Sequence, residues 1–156
     1  MIRHCIDSDR DSLIALWEEF DDHHVVLSDY YFRKPERDES LARHNRYATQ
    51  DGALYMVSEK KGEIQGFICG QYRKTPLVSL LKERTILELH GICVSRMHRQ
   101  RGLAGQLIGA VVDLAKRKKI NDIEVLIWDF NDSIQHVIRS AGFRLISGKY
   151  GLTINE

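Results

Sequence analysis

The chain has 156 residues, 43% hydrophobic and 29% charged, with a formal net charge of +1. That length suits one domain over residues 1–156 that buries about 70% of its extended surface, and the composition is that of a globular chain rather than a disordered one. Near-neutral charge gives no argument for nucleic acid. No apolar run approaches the roughly 18 residues of a membrane span, and MIRHCIDSDRD lacks the apolar stretch of a signal peptide, so the cytoplasm is the expected compartment.

In chain order, residues 2 to 6 read as a short strand. Asp9 or Asp11 then caps a helix whose apolar positions Leu13, Leu16, Trp17 and Phe20 recur at three and four. The following Asp21-Asp22-His23-His24 offers carboxylates and imidazoles, but four consecutive side chains do not converge on one ion, so no metal site is expected. ERDESLARHNRYA suggests a second helix, exposed and charged. Leu54 to Ser58 and Ile64 to Tyr72 form a hairpin joined by Glu59-Lys60-Lys61-Gly62-Glu63, with glycine where positive φ is needed. Gly66 and Gly70 fall on one face, which suggests that another backbone or a ligand passes close, although weak edge packing explains them equally well.

Residues 84 to 94 form the central strand. By the two-residue period Glu88, His90, Ile92 and Val94 share one face, and Leu89, Gly91 and Cys93 the other. Cys5, Cys69 and Cys93 lie in apolar strand-like runs and read as buried thiols. A basic loop with Arg96, Arg99 and Arg101 follows. It leads into a helix that opens on Gly102, Ala104 and Gly105 and carries Leu103, Leu107, Ile108, Val111, Leu114 and Ala115 on one stripe. Small residues admit a ligand to the backbone there. The first N–H groups of the helix, its dipole and the arginines all favour an anion, phosphate above all. Neither G-x-G-x-x-G nor G-x-x-x-x-G-K-[ST] occurs, which disfavours a dinucleotide fold and a P-loop. The helix ends in Lys116-Arg117-Lys118-Lys119. Ile123 to Trp128 is then a strand, Asp132 to Ala141 a helix begun at Asn131, and Phe143 to Ile154 one or two final strands broken at Gly148 and Gly151.

Arg99-Gln100-Arg101-Gly102-Leu103-Ala104 resembles the acyl-CoA-binding signature [QR]-x-x-G-x-[GA] of the GNAT superfamily of N-acetyltransferases. Val94 five residues upstream, Asn131 after IEVLIWDF, and Ala141-Gly142-Phe143 match the flanking landmarks. The resemblance implies an α/β mixed sheet in the order β-α-α-β-β-β-α-β-α-β, with room for one more strand, whose two central strands splay apart to admit a pantetheine arm. It implies acetyl-CoA as acyl donor, held by the main chain of Ile92, Cys93 and Val94, by Arg99, Gln100, Arg101, Gly102, Leu103, Ala104 and Gly105, and by Asn131.

The resemblance also implies transfer to a primary amine, on a small molecule or a protein, by direct attack in a ternary complex. Glu88 stands where histone-type members carry their catalytic glutamate and is the expected base, with His90 as relay or acceptor contact. A Val94 N–H is placed to stabilise an oxyanion. The first two helices shape the acceptor site in this family, where Asp21, Asp22, Tyr30, Tyr31 and Glu36 would receive a cationic amine unless they are simply a solvated face. Ile138 departs from the pattern, because many members have a tyrosine there as general acid. The acid is therefore absent or supplied by His136, Tyr150 or water, and the departure motivates an alternative, a CoA-binding module that acts as sensor or interaction domain with little turnover. A third reading, Cys93 as covalent nucleophile, lacks a paired base on its own face. Homodimers are common in the family, and exchange of a C-terminal strand through residues 149–156 is one route to them.

Overall fold

The computed structural model describes residues 1–154. Five strands, β1 (Ile2–His4), β2 (Ala53–Lys60), β3 (Glu63–Lys74), β4 (Thr85–Val94) and β5 (Asp122–Val125), lie side by side in sequence order. Successive pairs from β1 to β4 are antiparallel, and β5 is parallel to β4. Helices α1 (Arg10–Leu27) and α2 (Arg37–Thr49) cover one face of the sheet, and α3 (Leu103–Arg117) and α4 (Asp132–Ser140) the other. This is the expected mixed α/β order through its first nine elements.

Both faces are apolar, so β2 is buried on both sides. Leu54 and Met56 join Leu107, Ile108 and Val111 of α3, whereas Tyr55 and Val57 join Leu13, Leu16 and Trp17 of α1. The β2–β3 hairpin turns through Lys61 and Gly62 with φ of 52° and 82°, the pair of positive φ values that a two-residue type I′ turn requires. Helix α2 departs from the fully exposed helix expected. Ser40, His44 and Tyr47, spaced by four and three, are buried against the sheet.

Strand β3 approaches β4 closely, as Gly66 and Gly70 suggest. A Cβ on Gly66 would lie 2.6 Å from the Cys93 carbonyl oxygen, and one on Gly70 would collide with that of Glu88. Gly70→Ala should therefore cost about 1–3 kcal/mol, read as a lowered midpoint in chemical denaturation; an unchanged midpoint would mean the strands separate there without penalty.

The near pairing has an irregularity that overturns one expectation. Cys69 opposes Gly91 and Gly70 opposes Leu89, so His90 is an extra residue with nothing opposite it in β3. The bulge inverts the alternation. Leu87 and Leu89 face α3, but so do Ile92 and Val94, while Cys93 faces α1. Glu88 and His90 hence share the α1–α2 face with each other and not with Ile92 and Val94.

No strand follows α4 among the described residues. Leu145, Ile146, Tyr150, Leu152 and Ile154 are between 68% and 98% exposed. A strand needs an edge to pair with, and the edge strand nearest in sequence, β5, is only four residues long. The expected strand to Trp128 is likewise cut at Val125, and Trp128 instead packs with Tyr31, Phe32 and Phe130.

At the other end of the sheet, Asp9 stands at the N-cap of α1 but makes no side-chain cap bond to that helix. It accepts both terminal nitrogens of Arg3, at 2.7 and 2.9 Å, and the Ile6 N–H at 2.9 Å. Hydrogen bonding from Arg3 holds its carboxyl below the usual range, against the opposing effect of burial. A depressed folded-state pKa gives stability that is complete above the unfolded value of about 3.9 and is lost as pH falls through the folded one. Asp9→Asn should accordingly lower the melting temperature at pH 7 and narrow its gap from the parent in acid; a constant gap at all pH would remove the titration of Asp9 as the cause.

Candidate functional site

Strand β4 carries a chain of four side chains on its α1–α2 face. Glu88 Oε2 accepts from Arg73 Nε at 2.7 Å, and Oε1 lies 2.9 Å from His90 Nε2. His90 Nδ1 lies 2.8 Å from the Tyr47 hydroxyl of α2. Arg73 reaches Glu88 because it sits two residues past Gln71, the cross-strand partner of Glu88, on the same side of β3. Partial burial pushes the Glu88 carboxyl up, but the hydrogen bonds from Arg73 and His90 outweigh it and hold the group below its ordinary value. An ionised carboxylate only accepts, so Nε2 is the donor toward Glu88, and a neutral imidazole then accepts the Tyr47 O–H at Nδ1. Burial pushes the Tyr47 phenol up to about 12, so it keeps its proton at neutral pH.

Tyr47 and Arg73 were not foreseen. The spacing of Ser40, His44 and Tyr47 is the signal that would have exposed a buried face of α2, hidden because two of the three are polar. Tyr47 also walls a cavity of about 410 Å³ between α2 and the loop preceding it.

Beyond Leu89 the two central strands part. β5 pairs with β4 only from Ile86 to Leu89, leaving Gly91 to Val94 without a neighbour on that side. Ser95 N–H bonds the Gln65 carbonyl in β3 at 2.9 Å, so by alternation Cys93 turns its main chain to β3 and Ile92 and Val94 turn theirs to the gap. The Val94 carbonyl there accepts from Arg99 Nε at 3.1 Å. The Cys93 thiol, pushed up to about 12 by burial, donates to the Leu16 carbonyl at 3.4 Å.

The gap leads to the start of α3. Gln100 and Gly102 have φ of 61° and 74°, which bends the loop back so that Arg101 to Gly105 cap the gap's end. The N–H groups of Leu103, Ala104 and Gly105 have no protein partner among the described residues, the first turn of α3 holds no acid, and a Cβ on Gly102 or Gly105 would meet open space. With Arg99 and Arg101 beside them, these groups fit a pyrophosphate.

Asn131 is buried at the start of α4, its Oδ1 3.5 Å from His23 Nε2 and accepting from Ser133 Oγ at 3.3 Å. Burial lowers the His23 pKa, partly offset by that contact. Ile138 is buried in the core, and His136 and Tyr150 are exposed. The acidic residues near α1 are not free for a cation. Asp21 accepts both terminal nitrogens of Arg43 at 2.8 and 2.7 Å, and Asp22 lies 3.5 Å from Lys34 and 3.9 Å from Arg96. Glu36 stands at the N-terminus of α2, and Tyr30 and Tyr31 pack edge to face.

The fold recurs in solved structures. A tetramutant of the BH1408 protein from Bacillus halodurans superposes with a TM-score of 0.90 at 20% identity, covering 99% of each chain. Aminoglycoside acetyltransferase AAC(6')-Iy, bound to a bisubstrate analog of CoA and acetylneamine, gives 0.75 at 21% identity over 99% of this chain and 97% of its own. The aminoglycoside 6'-N-acetyltransferase AAC(6')-IG from Acinetobacter haemolyticus gives 0.76 at 15% identity over 100% and 99%. At such identities the likeness is one of fold. No curated protein matches the sequence. The family model for the GNAT acetyltransferases does match, over residues 13–143, and with the signature loop and the parted central strands in place the chain belongs to the acetyltransferase (GNAT) family.

Proposed function

We propose that the protein is an acetyl-CoA-dependent N-acetyltransferase that acts on a primary amine. The observation that carries this reading is the position of β4, which bears the Tyr47–His90–Glu88–Arg73 chain on one face and an open edge leading to the α3 cradle on the other. Acetyl-CoA, when bound, supplies the acetyl group as an activated thioester. The amides of Leu103, Ala104 and Gly105, with Arg99 and Arg101, hold the pyrophosphate, and Gln100 and Gly102 set the turn that aims them. Ile92 and Val94 offer main-chain groups to the pantetheine amides, Val94 N–H faces the developing negative oxygen, and Asn131 lines the β5 side. Cys93 contributes packing.

The acceptor enters from the α1–α2 face. Its nitrogen attacks the acetyl carbon, the carbon–sulfur bond breaks, and the proton lost by the amine passes to the Tyr47 hydroxyl as that hydroxyl gives its own to His90 Nδ1, while Glu88 orients the imidazole and stabilises its positive charge. Attack is direct, because the Cys93 thiol is buried and protonated. Ile138 has no proton to give the leaving sulfur, yet a thiol of ordinary pKa about 8.5 departs near neutral pH without an acid there.

The test is release of free thiol, with mass detection of the acetylated amine, across a panel of amines. If acetyl-CoA binds but no amine accelerates thiol release, the second reading, a CoA-binding module motivated by Ile138, replaces this one. Two further proposals accompany the activity. The exposed apolar tail and the free edge of β5 support exchange of the tail between two copies, so Leu152→Asp should shift sedimentation toward the monomer; an unshifted boundary would exclude the tail from any association. Three free cysteines suit a reducing compartment, the cytoplasm, and no helix of the described residues is long and apolar enough to cross a membrane.

A further inference from the structure

The cavity behind Tyr47 has an unbalanced charge. Three arginines line it. Arg33 is bound by both terminal nitrogens to Glu39, at 2.9 and 2.7 Å, and Arg43 is bound in the same way to Asp21 while its guanidinium stacks 4.0 Å over Trp17. Arg46 has no carboxylate within bonding distance among the described residues; its guanidinium lies 6.0 Å from the Tyr47 ring. One full positive charge is therefore left over at the mouth. The remaining walls, Tyr31, Phe32, Pro35 and the ring of Tyr47, are flat and apolar.

At the other side of Tyr47 no cation is left over, because the Glu88 carboxylate offsets Arg73. The Tyr47 hydroxyl joins the cavity wall to His90 and the Glu88 carboxylate, so one side chain separates a cationic end from an end that accepts protons. A ligand complementary to both ends is itself dipolar, with an amine toward His90 and an anionic group toward Arg46. A polycation would meet Arg46 with like charge, and the acids that could have received it, Asp21, Asp22 and Glu39, already hold arginines or a lysine. Arginine with planar aromatic walls suits a carboxylate attached to an apolar group.

We propose that the acceptor is an amine that also carries a carboxylate, an amino acid with an apolar side chain being the simplest case, with Arg46 as the residue that selects it. This rests on the acetyltransferase reading above and narrows its substrate class. Matched pairs test it, because L-phenylalanine and phenethylamine differ only in the carboxylate. With acetyl-CoA, kcat/KM should be about tenfold to a hundredfold higher for L-phenylalanine, the usual worth of a charge-assisted contact. Arg46→Glu should abolish or invert that ratio while leaving acetyl-CoA affinity unchanged. Equal values for the pair, a higher value for phenethylamine or a polycationic aminosugar, or a ratio unmoved by Arg46→Glu would each overturn the proposal.

Absence of turnover with every amine would count against the acetyltransferase reading and not against the cavity. Calorimetric titration of the same two compounds into the protein, with and without CoA, then decides: binding of L-phenylalanine alone, lost in Arg46→Glu, supports the proposal, and binding of neither or preference for phenethylamine refutes it.

Discussion

Glu88→Gln should lower kcat by about 10²–10⁴-fold with no change in acetyl-CoA affinity. The glutamine has nearly the shape of the glutamate but opposite hydrogen-bonding character at one of its two positions. Glu88 accepts at both oxygens, from Arg73 and from His90. The amide can accept at only one. Because Arg73 is permanently charged and donates, the amide oxygen turns to it and the NH2 turns to His90. His90 Nε2 must then accept, its proton moves to Nδ1, and Tyr47 now faces a donor. The whole chain from Arg73 to Tyr47 is thus set in the wrong polarity by one substitution that removes little volume. His90→Gln and Tyr47→Phe should each give a comparable loss, the one deleting the base and the other the hydroxyl that relays the proton to it. Unaltered turnover in Glu88→Gln, measured by thiol release at saturating acetyl-CoA, would sink the assignment of Glu88.

The second large effect is expected at the cradle. In calorimetry the parent should bind acetyl-CoA saturably and Gly102→Glu should not. Gly102 has φ of 74°, which costs a residue with a side chain roughly 1–2 kcal/mol, but a carboxylate beside the N-terminus of α3 interacts favourably with the helix dipole and offsets part of this. The variant should therefore fold, with the carboxylate occupying the position that the pyrophosphate requires and repelling it. Gly102→Ala separates the two effects, having the backbone cost without the charge, and should bind about tenfold more weakly than the parent. If Gly102→Glu binds as well as the parent, the cradle lies elsewhere. If the parent does not bind, the acetyltransferase reading falls.

Much of this architecture is legible in residue spacing, and the exceptions share a cause. The stripe from Leu107 to Ala115 and the Lys61–Gly62 hairpin depend on neighbours a few positions away, and local periodicity reports them. The bulge at His90 depends on which residues of β3 lie opposite, on another strand and beyond the 75–84 loop, so strict alternation across 88 to 94 misassigned the face of Ile92 and Val94. The segment after α4 has strand-forming residues but lies unpaired beside an edge strand of only four residues, a circumstance that composition does not register. At the candidate site, Glu88 and His90 were visible as neighbours two apart on a strand. Arg73 and Tyr47, which fix their polarity, come from a different strand and a helix that looked wholly solvated.

The extra residue in β4 also governs which changes of length the chain tolerates. Removing His90 would restore plain alternation and leave its neighbours on their present sides, Gly91 and Cys93 toward Trp17 and Ile92 and Val94 toward α3, because Leu89 and Gly91 already oppose the consecutive residues Gly70 and Cys69. Deletion of His90 is thus a lesion of the candidate site and not of the sheet. The 75–84 loop, exposed and tied down chiefly by Thr75 to Arg84, can lengthen or shorten without reaching this parity. Homologues should vary in length before β4, and one that lacks the residue at His90 should keep the same two faces on either side of it.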